Sequence, residues 1–66
     1  MPIINVQMLS GRTATQKKAF LRELSELVIN RLAVPESAVK VVSTEVDPEN
    51  WMDGTKSAAE LFGKPG

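Results

Sequence analysis

Pro2 is the residue with the clearest chemical potential in this sequence. If Met1 is trimmed, the Pro2 ring nitrogen becomes a free secondary amine. An amide nitrogen is not basic, whereas a free α-amine titrates at roughly 7.7–8 before its surroundings act on it. Burial and nearby cations both disfavour the ammonium form and lower that value. A base poised near neutral pH suits the movement of a proton between two atoms of a substrate. The chain has no His and no Cys, so the terminal amine is its best candidate for that task. Met-Pro is also a common and uninformative start to a chain. The elements behind it must carry the reading.

Size sets the next constraint. The 66 residues form one domain, residues 1–66, with about 63–66 expected as a flexible tail. A chain this short buries only about 60% of its unfolded surface and is marginal alone. With no cysteine, disulfides are excluded. A zinc site lacks its usual His and Cys ligands, so no metal is expected. Self-association is the expected remedy. Eight basic and eight acidic side chains cancel, and no basic cluster points to nucleic acid or an anionic membrane. There is no apolar run of about 20 residues to span a bilayer and no signal-like start. The expected location is the cytoplasm.

The residue pattern predicts three main elements. Ile3 to Leu9 reads as a strand, with Ile4, Val6 and Met8 on one face and Ile3, Asn5, Gln7 and Leu9 on the other. Ser10-Gly11-Arg12 breaks it. Thr13-Ala14-Thr15-Gln16 has the form of a capping box, and helix-forming residues follow to about Leu32. Phe20, Leu24, Leu27 and Val28 form its expected apolar stripe, with Leu21 and Leu32 at the edge. Lys17, Lys18, Arg22, Glu23 and Glu26 are expected on the solvated face, with Arg22 and Glu26 spaced to pair. Pro35 requires the helix to end before it. Val39 to Val46 reads as a second strand, and Asp47-Pro48-Glu49-Asn50 as a turn. A loop at Asp53-Gly54 and a short strand or helical turn over Ser57 to Leu61 complete the chain. Met8 and Met52 read as packing residues, and Glu45 and Asp47 as a candidate carboxylate pair to which nothing assigns a metal or an acid role.

Strand, long helix and strand make a βαβ unit with parallel strands. The fold class is α+β: a β-α-β subunit with one long helix and a short C-terminal hairpin or turn. One helix covers one sheet face. Parallel sheets want cover on both, so a second copy is the simplest occupant of the other.

Pro2, a short strand, Leu9-Ser10-Gly11-Arg12, a capped helix, and Val39-Lys40-Val41-Val42 with Thr44-Glu45 together resemble the 4-oxalocrotonate tautomerase family. The resemblance runs from Pro2 to about Gly54. It implies β-α-β subunits assembled as hexamers, typically trimers of dimers, with sites near subunit boundaries. It implies a cofactor-free isomerase with the amino-terminal proline as general base. Substrates would be enols or 2-oxo acids, including 2-hydroxydienoates such as 2-hydroxymuconate, and phenylenolpyruvate. A place in aromatic degradation follows from that substrate class.

By the same resemblance, Arg12 binds a substrate carboxylate, for which a guanidinium offers a planar bidentate fork. Lys40 stands where relatives carry a second arginine, supplied by a neighbouring subunit. It keeps the charge that stabilises a developing enolate but not the fork, which leaves the choice of mono- or dicarboxylate open. Its alternative role is a solvated strand-face charge. Trp51 stands where the family places an aromatic wall beside the proline; its alternative role is a packing or interface anchor. Leu9 lends its backbone to the site. In relatives the same proline serves as an acid in dehalogenation or decarboxylation, or as an enamine-forming nucleophile. Dehalogenation and decarboxylation need an additional acidic group to activate water, and none is evident here. A non-catalytic oligomerising subunit or partner-binding module of this fold is the alternative to an enzyme.

Overall fold

The computed structural model describes residues 1–63. Ile3–Leu9 forms β1 and Lys40–Val46 forms β2. They pair in parallel, from Ile3 opposite Lys40 to Leu9 opposite Val46. Two bonds extend the ladder: the Lys40 N–H donates to the Pro2 carbonyl at 3.1 Å, and the Ser10 N–H to the Val46 carbonyl at 2.9 Å. Only parallel strands joined by a long crossover satisfy this register, and the helix supplies that crossover. The expected α+β, β-α-β architecture is the observed one.

Helix α1 spans Ala14–Leu32. Its start is the capping box read from the sequence: the Gln16 N–H donates to the Thr13 hydroxyl at 3.1 Å, and the Thr13 N–H to the Gln16 side-chain oxygen at 3.0 Å. Thr13→Ala is expected to cost about 1 kcal/mol, read as a fall in Tm at fixed protein concentration. The helix stops at Ala33, which adopts the left-handed conformation at φ 52° two residues ahead of Pro35. A 3-10 turn at Glu36–Ala38 leads into β2. It takes up Val39, whose N–H donates to the Glu36 carbonyl at 3.2 Å, so β2 begins one residue later than the residue pattern predicts.

The helix face also differs from expectation. Leu21, Leu24, Val28 and Ile29 are half-buried, whereas Phe20 is 41% and Leu27 52% exposed. The inward arc is rotated toward Leu21 and Ile29 because the helix lies chiefly over β2 rather than over the middle of the pair. Its β1-side flank, including Phe20 and Leu27, is left uncovered. Arg22 and Glu26 form no ion pair, and Ser25 instead donates its hydroxyl to the Leu21 carbonyl at 3.0 Å.

Beyond β2, a 3-10 turn at Pro48–Asn50 begins with the Asp47 carboxylate accepting the Glu49 N–H at 2.9 Å. Strands β3 (Met52–Asp53) and β4 (Lys56–Ser57) form an antiparallel hairpin. Its turn uses Gly54 at φ 63°, a conformation that suits glycine. Helix α2 spans Ala58–Phe62, with a second capping box from Ser57 and Glu60. The S-x-x-E pattern for it was present in the sequence. The expected tail falls on Gly63, which caps α2, and on residues 64–66, which lie outside the described residues.

The chain has little core of its own. Among the described residues only Pro48, Ser57 and Ala58 are buried, and all three belong to the C-terminal arm, where α2 and β4 pack on the Pro48 turn. The chain exposes 5059 Å², against roughly 4,100 Å² for a compact monomer of this mass. Its radius of gyration is 14.8 Å, against about 11 Å for a compact domain of this length. Ile3 at 59% and Val42 at 50% exposure stand apolar on the sheet face away from the helix.

Candidate active site

Alternation along β1 decides where the candidate residues sit. Ile4, Val6 and Met8 are half-buried toward α1, and Ile3, Asn5 and Gln7 are exposed on the open face. Pro2 shares the parity of Ile4 and so belongs to the helix side. Met1 ahead of it is 84% exposed and takes no part in the sheet.

At the other end of β1 the chain turns through Gly11 at φ 127°, a region that side-chain-bearing residues rarely enter. This turn carries Arg12 to the mouth of a cleft of about 350 Å³, lined also by Met8, Gln16, Lys17 and Phe20. The Arg12 guanidinium has no protein partner among the described residues. The neighbouring Lys17 ammonium is held by the Glu45 carboxylate of β2, a contact that ties the first turns of α1 to the sheet. The two side chains are 29% and 31% exposed, so the pair contributes at most about 1 kcal/mol to folding. Lys17 is therefore not the purely solvated residue the helical pattern suggests, and Glu45 and Asp47 have separate roles. Parity along β2 places Glu45 beside Met8, on the face of Lys17. That juxtaposition spans 28 residues of sequence and becomes visible only once the parallel register is known.

Lys40 begins β2 opposite Ile3. It shares an end of the sheet with Pro2, but the register puts it on the open face. Its ammonium donates to the Ser37 carbonyl at 3.2 Å. Leu9, half-buried, closes β1 opposite Val46. Trp51 lies at that same end with Gln7, Val46, Asn50 and Met52 around a second cleft of about 320 Å³. Gln7 and Val46 both belong to the open face, so Trp51 and Arg12 sit on opposite sides of the sheet.

One chain therefore does not gather the five residues. Pro2 and Lys40 mark one end of the sheet, and Leu9, Arg12 and Trp51 the other. The seven residue steps from Pro2 to Leu9 span about 23 Å at strand spacing. Chemistry that needs Pro2 beside Arg12 requires a second copy.

Comparison with known proteins meets this geometry. The tautomerase enzyme family model matches residues 2–60. The chain is 38% identical to a 2-hydroxymuconate tautomerase of Pseudomonas putida over 61 residues, which cover 92% of this chain and 97% of that protein. Among solved structures it is similar to TomN, a 4-oxalocrotonate tautomerase homologue of the tomaymycin biosynthetic pathway. That similarity has a TM-score of 0.88 and 34% identity, covering 98% of this chain and all of the other. It is similar also to a heterohexameric 4-oxalocrotonate tautomerase from Chloroflexus aurantiacus J-10-fl, with a TM-score of 0.85 and 36% identity over 92% of this chain and 98% of that one. A parallel β-α-β chain whose sequence agrees with these enzymes almost from end to end is thus a member of the 4-oxalocrotonate tautomerase family of tautomerase enzymes.

Proposed function

We propose that this chain is a cofactor-independent tautomerase that interconverts enol and keto forms of a 2-hydroxydienoate or related 2-oxo acid, with trimmed Pro2 as general base. The observation that carries the reading is the unpartnered Arg12 guanidinium in a cleft it shares with the apolar Met8 and Phe20 and with Gln16 and Lys17, on the same sheet face as Pro2 but at the far end of the strand. An antiparallel second copy, paired through the free edge of β1 about Asn5, sets Pro2 opposite Met8 of its partner. Residues opposed in such a ladder share a face, so Pro2 faces the partner's Arg12 cleft. The uncovered Phe20 and Leu27 flank of α1 lies on this β1 side and is covered by the same pairing.

The chemistry follows from the parts. The uncharged Pro2 nitrogen takes the enol O–H proton, the oxygen closes to a carbonyl, and the double bonds shift along the substrate. The distal carbon then receives the proton from the Pro2 ammonium. Arg12 holds the substrate carboxylate through two parallel N–H bonds. Lys40, projecting from the open face of another copy, stabilises negative charge on the oxygen. Leu9 and Trp51 complete the walls at further boundaries between copies. The 2-hydroxymuconate tautomerase relative supports this substrate class, and the heterohexameric relative supports assembly. A homohexamer built as a trimer of dimers, working in the cytoplasm, is the form proposed for this chain.

The test is the ultraviolet change on ketonisation of 2-hydroxymuconate and phenylenolpyruvate by protein whose intact mass shows Met1 removed. Absence of turnover of both by the assembled protein rejects the enzyme and favours the non-catalytic subunit. Assembly has its own test. Val42→Asp puts a charge on the exposed apolar face and is expected to shift the sedimentation profile to smaller species, with loss of secondary structure at micromolar concentration. A monomeric wild-type chain of unchanged fold at that concentration would refute the shared site.

A further inference from the structure

The charges around the Arg12 cleft do not simply add. Two cations line it, Arg12 and Lys17, but only Arg12 is free, because Glu45 holds the Lys17 ammonium. The Gln16 side-chain oxygen is also engaged, accepting the Thr13 N–H at 3.0 Å. The remaining walls, Met8 and Phe20, are apolar. We propose that Glu45, by holding Lys17, is a specificity-determining residue that sets this cleft to accept a substrate with one carboxylate and an apolar remainder. The inference rests on the tautomerase reading of the Arg12 cleft and adds to it the chemical class of the preferred substrate.

Charge matching sets the preference. Arg12 supplies one unpaired positive charge and a fork that fits one carboxylate. With Lys40 of another copy committed to the enol oxygen at the Pro2 end, a second carboxylate within this cleft would have to take Lys17 from Glu45 or lie near the Glu45 carboxylate, and like charges at close quarters disfavour binding. Glu45 neighbours Met8 in the ladder and holds Lys17 on the helix, so it acts on the cleft through two of the residues that line it. A hydrocarbon or aromatic remainder meets no such conflict, since it covers the Met8 and Phe20 side chains and leaves the ion pair intact. Phe20, 41% exposed in the single chain, offers a ring face for that contact.

The test compares trimmed wild type, Glu45→Gln, Lys17→Gln and the double variant. Each is titrated calorimetrically with hydrocinnamate and with adipate, non-reacting mono- and dicarboxylates. The same proteins are assayed for turnover of phenylenolpyruvate and 2-hydroxymuconate. Wild type is expected to favour the monocarboxylate in both readouts. Glu45→Gln frees Lys17 and is expected to move the mono-to-dicarboxylate ratio about fivefold toward the dicarboxylate, the upper end for a part-exposed charge pair, through Kd and KM rather than kcat. Lys17→Gln leaves Glu45 bare and weakens both ligands, the dicarboxylate more. Adding Lys17→Gln to Glu45→Gln removes the gain.

A ratio unmoved in Glu45→Gln, or a parallel loss for both ligands, overturns the proposal and assigns the pair a structural role only. So does failure of both carboxylates to bind wild type at millimolar concentration. Because the titration needs no turnover, it decides the inference even if the chain isomerises neither enol, an outcome that would count against the tautomerase reading alone.

Discussion

Protein that keeps Met1 is expected to isomerise enols about 10²–10⁴-fold more slowly than trimmed protein, the range for loss of a positioned general base. With Met1 attached, the Pro2 nitrogen is an amide whose electron pair is delocalised. The fold itself should not change. β1 begins at Ile3, Pro2 is tied to the sheet by its carbonyl, and Met1 is 84% exposed. The two forms should therefore share one Tm and one sedimentation profile while differing in rate, which separates chemistry from assembly. Intact mass identifies each form before assay. Pro2→Ala on trimmed protein keeps an amine but loses the rigid ring, so its loss should be smaller than that caused by retained Met1. Equal turnover by the two wild-type forms would remove Pro2 from the mechanism.

Mixing two impaired variants should raise activity above that of either alone. Pro2 and Arg12 lie at opposite ends of β1, so the proposed site takes one from each of two copies. Arg12→Ala alone is expected to lower kcat/KM about 10- to 100-fold, the worth of a charge-assisted hydrogen-bonded contact. Arg12→Lys should recover only part of this, because an ammonium lacks the planar fork. When Pro2→Ala and Arg12→Ala proteins are unfolded, mixed in equal amounts and refolded together, random closed assemblies place an intact Pro2 opposite an intact Arg12 in up to about one site in four. Recovered kcat/KM near that fraction supports a shared site. No recovery in demonstrably mixed oligomers would place both residues in one copy's site, against the single-chain geometry.

Much of the fold follows from local pattern. The alternation of β1, the Thr13–Gln16 capping box and the helix end ahead of Pro35 each depend on residues a few positions apart, and each is present as expected. The second capping box, Ser57 with Glu60, was equally local. The arc that α1 buries was different. Phe20 and Leu27 belong to the helix's apolar stripe by spacing, yet stand exposed because the helix sits over β2 and leaves the β1 side open. Spacing gives the width of an apolar stripe, but not which edge of it the sheet beneath will cover.

The site divides along the same line. By its residue types alone the chain singled out Pro2, once Met1 is removed, as its candidate base, left no thiol or imidazole to use instead, and made a self-sufficient core marginal at this length. Those are matters of composition and length, which no fold can alter. Only the tertiary structure decided that Pro2 and Arg12 are separated by the length of a strand, that Lys40 and Trp51 belong to the open face, and that Lys17 is tied to Glu45. The physical reason is that parallel register and strand parity join residues far apart in sequence, and a one-residue shift of register would reverse every face assignment.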